Sequence, residues 1–179
     1  MAAYLKQGDV TIFYALNRRL HCQVMDIAMR LITNLGSVGF SLALLSVLLF
    51  ASRVLNRDAG IRLAVGLALS QLIVQAVKRL VNRPRPYRVL EYAIAVKPPA
   101  CRYSFPSGHT ATAFIIAFML AASLPVPGAT VGLFFVLAFL VGISRIYLGF
   151  HYPTDVLVGF GIAYLTFIMA LSLTLPFLN

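Results

Sequence analysis

Apolar runs close to the ~20 residues needed to cross a bilayer follow one another through most of this 179-residue chain, broken only by short polar clusters. That pattern leaves little freedom. The expected fold class is all-α: a polytopic transmembrane helix bundle of five to six spans plus an N-terminal interfacial helix, forming a single membrane-embedded domain over residues 1–179. The spans read as 24–52 (bent near Gly36 and Gly39), 61–79, 107–124, 129–147 and 153–175. Residues 9–21, with Val10, Phe13, Tyr14 and Leu16 ahead of Arg18 and Arg19, suit a helix lying in the interface plane. Residues 53–60 read as a short basic turn, 124–128 as a tight uncharged turn, and 80–106 as the longest stretch outside the membrane. Several apolar cores fall slightly short of a full crossing, so their polar ends must dip into the interface. Asp9, Arg18 and Arg19 interrupt any early apolar core and no small-residue cleavage site follows one, which argues against a cleaved signal peptide.

Hydrophobic residues make up 60% of the chain and charged residues 11%. Soluble domains average roughly 25% charged, so water is not the main solvent. The charge is lopsided: 15 Lys and Arg against 5 Asp and Glu, a net +10. In a chain this apolar, a basic excess points to anionic lipid head groups or phosphorylated lipids as partners and away from nucleic acid. Trp is absent, so any interfacial aromatic belt is made of Tyr and Phe. Cys22 and Cys101 match no zinc or redox spacing; they are either two unpaired thiols or one disulfide.

Three polar clusters carry the chemistry: Lys78 to Pro86, Pro106 to His109, and Ser144-Arg145 with His151 and Asp155. Counting spans from the N-terminus puts all three on one side of the membrane, and an additional N-terminal crossing would not separate them. Lys78 and Arg85 are seven residues apart, two helical turns, and Pro84 and Pro86 must disrupt the helix near its end, letting Arg85 fold back toward the head-group plane. Arg offers a planar fork for phosphate oxygens and Lys a compact charge. The plainer alternative is a basic helix end that grips anionic lipid.

Ser107 is a good helix cap, Gly108 lets backbone approach a ligand closely, and the helix N-terminus presents unpaired N–H groups to an anion, with His109 in the first turn. The alternative is an ordinary capped helix start with an interfacial His. His151 and Asp155 are four apart, and Pro153 suits a first helical position, so Asp155 can reach back to His151. A carboxylate on one imidazole nitrogen fixes the tautomer and frees the other nitrogen as a nucleophile. Arg145, ending the preceding helix, is close enough to join the clamp. The alternative is a His–Asp pair locking a turn.

Together these motifs resemble the type-2 phosphatidic acid phosphatase superfamily, which also contains the vanadium haloperoxidases and bacterial acid phosphatases. Its signature, K-x6-R-P, P-S-G-H and S-R-x5-H-x3-D, is met as Lys78-x6-Arg85-Pro86, Pro106-Ser107-Gly108-His109 and Ser144-Arg145-x5-His151-x3-Asp155, without departure, within about residues 60–175. The resemblance implies an integral-membrane phosphatase acting on a lipid phosphate or diphosphate. The short bacterial members it is similar to act on undecaprenyl diphosphate or phosphatidylglycerophosphate. It implies His151 as the nucleophile that forms a phosphohistidine, Asp155 as its orienting partner and His109 as the general acid. Lys78, Arg85, Arg145, the Ser107 hydroxyl and the Gly108 amide are implied as the phosphate cradle. No metal and no cofactor are implied, and three cations around the site would repel a divalent ion. A basic loop (Arg79, Arg83, Arg88, Lys97, Arg102) suits a second phosphate.

Two other readings use the same residues: a lipid phosphotransferase working through the same phosphohistidine, and a non-enzymatic protein that binds anionic lipid. Sidedness divides the observations. Of the 15 Lys and Arg, only Arg53, Arg57 and Arg62 fall on the side away from the clusters, and the positive-inside rule would place the clusters in the cytoplasm. The resemblance implies the extracytoplasmic side of the cell (inner) membrane, and that is the expectation adopted.

Overall fold

A computed structural model describes residues 2–50, 57–95 and 101–174. Among these the chain forms α1 (Ala2–Tyr14), α2 (Gln23–Thr33), α3 (Val38–Phe50), α4 (Arg57–Val81), α5 (Pro86–Val89), α6 (Gly108–Ser123), α7 (Gly128–Tyr147) and α8 (Pro153–Thr174). Apart from one isolated bridge between Pro84 and Tyr103, the described residues hold no extended pairing.

The 16-residue α6 is the axis of the bundle, with α4, α7 and α8 packed around it. Its sequence explains the place: Ala111, Ala113 and Ala117 let neighbours come close, and Thr110 through Ala117 are all buried. The approach of α8 is tightest at Gly159, where a Cβ would stand 2.7 Å from the Ser107 carbonyl oxygen. Toward the other end of α6, Phe118 is surrounded by Phe114, Phe135, Phe160, Tyr164 and Phe167, with ring centroids 5.1–6.4 Å away. The outward faces carry exposed apolar side chains such as Leu72, Phe139 and Leu157, as a lipid-facing surface requires.

The expected all-helical membrane bundle is present, with differences in its details. Three helices are long and apolar enough to cross a bilayer, Asp58–Val81, Gly128–Tyr147 and Pro153–Thr174. A fourth candidate is the pair α2 and α3, bent by 51° at the break that follows Gly36. The central α6 falls below this length, since a helix enclosed by its neighbours need not match the bilayer. The first span bends at Ser37, whose backbone is extended, rather than at Gly39. Residues 57–60, read as part of a turn, are the first turn of α4; residues 53–56 lie outside the described residues, as do the ends of the first and last expected spans.

The N-terminal helix corrects the sequence reading most. It starts at Ala2 rather than residue 9 and continues through a wider π turn, Ala15–Arg19. It also packs on the bundle: Phe13 and Asn17 are fully buried and Asp9 is 4% exposed. The Asn17 amide donates to the carbonyls of Ile94 (2.8 Å) and Tyr147 (2.7 Å) and accepts from the Ile94 N–H (2.8 Å). Polar side chains of this N-terminal segment find directional partners in the bundle, and these fasten it to the protein.

Candidate active site

Each helix end that meets at the polar end of the bundle is set by local sequence. Helix α4 stops at Val81 because Asn82 turns into the left-handed region (φ 52°), a conformation Asn tolerates better than most residues. The chain then runs extended through Arg85; Lys78 and Arg85 come within electrostatic reach through this reversal, not along one helix face. Ser107 caps α6, its hydroxyl accepting from the Thr110 N–H (3.4 Å) and Thr110 Oγ1 (2.8 Å). An oxygen that accepts twice keeps its own proton to donate. Gly149 has φ +83° with the Ile94 carbonyl against it, so only glycine makes the turn that delivers His151 between α7 and α8.

The described positions converge. His151 Nε2 is 3.3 Å from Arg85 Nη1, and Nδ1 is 3.5 Å from Asp155 Oδ2. Arg has only donors, so Nε2 turns its lone pair toward the guanidinium and the network assigns the ring proton to Nδ1, facing the carboxylate. At 3.5 Å that contact is long for a hydrogen bond; such bonds often tighten only when substrate is bound. Arg85 is itself anchored, Nε to the Cys101 carbonyl (2.7 Å) and Nη1 to the Phe150 carbonyl (2.9 Å). Arg145 donates to Thr33 Oγ1 (2.8 Å), lies over the Phe150 ring, and keeps a buried Nε without a protein partner. Lys78 Nζ lies 4.0 Å from Cys101 Sγ. His109 is within electrostatic reach of Arg145, His151, Lys78 and Arg85. A Cβ at Gly108 would meet Val74 (3.5 Å) and Gln71 (4.0 Å) of α4 in ordinary contact, so helix packing does not by itself demand glycine there.

Behind His151 stands an arrangement the sequence reading missed. Asp155 Oδ2 accepts from the Tyr152 N–H (2.9 Å) and Oδ1 from Arg83 Nη1 (2.8 Å). Arg83 Nη2 donates in turn to Asp9 Oδ2 (2.7 Å). Arg83 was expected to serve a second phosphate; it is committed to two carboxylates instead. Both Cys22 and Cys101 are free thiols.

Charge decides what this cluster favours. Lys78, Arg83, Arg85 and Arg145 are four cations against the carboxylates of Asp9 and Asp155, leaving two positive charges uncompensated, which suits a phosphate group. Burial holds the His151 imidazole well below its ordinary value, and Arg145, Arg85 and Lys78 push the same way, opposed by the Ser104 backbone. Burial alone would lower Arg83, but its hydrogen bond with Asp9 and the two carboxylate charges outweigh this and raise it. Sequence spacing gave no signal for Ser104, buried between the Arg83 and Pro84 carbonyls.

The chain is similar to known proteins in sequence and in fold. A family model described as "PAP2 superfamily" matches residues 59–177. Phosphatidylglycerophosphatase B of Bacillus subtilis (strain 168) is 34% identical over 148 residues, covering 77% of this chain and 70% of that protein. Undecaprenyl-diphosphatase BcrC of the same organism is 34% identical over 140 residues, covering 76% and 68%. The crystal structure of Aquifex aeolicus LpxE superposes with a TM-score of 0.80 at 32% identity, covering 91% of this chain and 94% of that one.

Proposed function

This chain belongs to the PAP2 superfamily and is a lipid phosphatase, and on that premise we propose that it hydrolyses the terminal phosphate of a lipid phosphate or diphosphate through a phosphohistidine, without a metal. The relatives named for phosphatidylglycerophosphate and undecaprenyl diphosphate make those two lipids the first substrates to test. One observation carries the reading: a buried imidazole whose Nε2 lone pair opens toward Arg85, within a cluster holding two uncompensated positive charges.

In the proposed reaction Nε2 attacks phosphorus in line and the bond from phosphorus to the lipid oxygen breaks. His109 delivers the proton that the leaving oxygen takes up. Lys78, Arg85 and Arg145, with the Ser107 hydroxyl and the Gly108 amide, hold the equatorial oxygens, and Asp155 steadies the imidazole as it becomes cationic. Water then attacks the phosphohistidine, giving up its proton to His109, and inorganic phosphate leaves with His151 restored. Most of the rate acceleration comes from positioning and charge stabilisation, as phosphoryl transfer demands.

The test is phosphate release by purified protein from a panel of lipid monophosphates and diphosphates, with EDTA in parallel. Release unaffected by EDTA is expected. Strong loss with chelator would return a metal to the mechanism, and transfer to an added alcohol without matching free phosphate would make the protein a phosphotransferase.

We further propose five crossings, with α2 and α3 as one bent span and α6 as a short one, and an extracytoplasmic site. A single cysteine placed within 88–95, after Cys22→Ser and Cys101→Ser, should react with an impermeant thiol reagent added outside intact cells; protection there would put the site in the cytoplasm.

A further inference from the structure

A chain of contacts, Asp9–Arg83–Asp155–His151, runs from the N-terminal helix to the imidazole, hydrogen-bonded and alternating in charge as far as Asp155 and closing on His151 at 3.5 Å. We infer that Asp9 and Arg83 are positioning residues for the reaction: Arg83 acts as a two-pronged brace that holds the Asp155 carboxylate against His151, and Asp9 locks the brace from α1. The inference rests on the phosphatase reading for its kinetic consequences only.

The geometry is specific. Arg83 Nη1 serves Asp155 Oδ1 and Thr154 Oγ1, both at 2.8 Å, while Nη2 serves Asp9 Oδ2 at 2.7 Å. Asp9 does more than balance a charge. Its Oδ1 accepts the Thr154 N–H (2.9 Å) and its Oδ2 the Thr154 hydroxyl (2.6 Å), so α1 is fastened to the residue adjoining Asp155. The guanidinium also stacks 4.0 Å over the Tyr152 ring, and Tyr152 packs against Phe13 of α1. Every polar direction at Arg83 that reaches α8 is therefore fixed from two sides.

Without the brace, Asp155 keeps the Tyr152 N–H, on the oxygen nearer His151, and a contact with the Ser104 hydroxyl, but loses the guanidinium that fixes its other oxygen. The carboxylate can then rotate, and the His151 proton is no longer fixed on Nδ1. A planar fork is needed because the two carboxylates lie in different directions; an ammonium is a single point charge and cannot span them in the same way. Asp9 lies outside the residues matched by the family model, so the brace joins the signature region to a helix the signature does not include.

The experiment compares full-length wild type with Asp9→Asn, Arg83→Lys and, as control, Asn17→Ala, which weakens α1 docking without touching the brace. The first readout needs no turnover. Nitrogen-15 NMR of labelled histidine at neutral pH, with His21→Asn and His109→Asn for assignment, reports the His151 tautomer. Wild type and Asn17→Ala are expected to carry the proton on Nδ1, and Asp9→Asn and Arg83→Lys a mixture with Nε2–H.

The second readout is kinetic, on phosphatidylglycerophosphate and undecaprenyl diphosphate. For Asp9→Asn and Arg83→Lys kcat should fall on the order of ten- to a hundredfold with KM little changed, the range typical for outer partners that orient a functional imidazole; Asn17→Ala should stay within about twofold. An unchanged tautomer in both brace variants would overturn the inference, whatever the kinetics. A loss in Asn17→Ala equal to that in Asp9→Asn would reduce Asp9 to a docking contact and overturn it too. If wild type released phosphate from no lipid of the panel of monophosphates and diphosphates, the hydrolytic reading would fail while the tautomer result still decided the brace.

Discussion

At the end of the bundle where α4 and α7 finish and α6 and α8 begin, three guanidinium groups and two carboxylates are held in place by hydrogen bonds of 2.6–2.9 Å. Toward the other end of the same helices, Phe118 sits among five aromatic rings at centroid distances of 5.1–6.4 Å. Directional bonds define where an atom must be; aromatic packing defines only how much space is filled. The first end should therefore tolerate almost no change in chemistry, and the second should tolerate repacking at a modest cost in stability.

The sharpest way to break that contrast is His151→Ala, which should lower turnover by at least ~10⁴-fold, as removal of a nucleophile does, while thermal stability changes little by comparison. Next comes Arg145→Lys, which keeps the charge but loses the fork reaching Thr33; a drop of about a hundredfold in kcat/KM is expected from losing one fixed donor. Turnover equal to wild type would show that charge alone suffices at this position.

A smaller effect separates the ends by pH. Burial and the neighbouring cations depress His151 below its ordinary value, so the imidazole keeps its lone pair as pH falls through about 6.5. A pH–rate profile should show no acid limb with its midpoint near that value. The same depression links to stability: below about 6.5 the unfolded chain binds a proton that the folded site resists, so this group's contribution is full above that pH and declines below it. Phe118→Ala, at the aromatic end, should cost on the order of 1–3 kcal/mol, less than in a water-soluble core because lipid solvates the exposed apolar surface. That loss should not vary with pH, and kcat should stay within about twofold. A large kcat loss in Phe118→Ala would show that the two ends are coupled.

Much of the polar end was legible in the sequence because its residues sit at helix termini, where caps and prolines have fixed meanings. Ser107 and Pro153 gave the starts of α6 and α8, the Pro84–Pro86 pair marked the neighbourhood in which Asn82 ends α4, and the spacing of His151 and Asp155 gave their contact. The brace was not legible. Asp9 and Arg83 meet across 74 positions because α1 docks on the bundle, and nothing in residues 9–21 distinguishes an aspartate facing water from one facing a buried guanidinium. The span count was ambiguous for a related reason. Length in a membrane helix is read against the bilayer, and α6 is surrounded by protein.

The shortness of α6 bears on how a lipid meets the enzyme. Its 16 residues rise roughly 24 Å, against a hydrocarbon layer of about 30 Å. On the function proposed above, we propose that the anion site at its N-terminus is reached from within the leaflet. A lipid phosphate would then need to sink by only a few ångströms to be cleaved, its chains staying among those of its neighbours. Extraction into water, at about 0.8 kcal/mol for each methylene uncovered, would not enter the reaction.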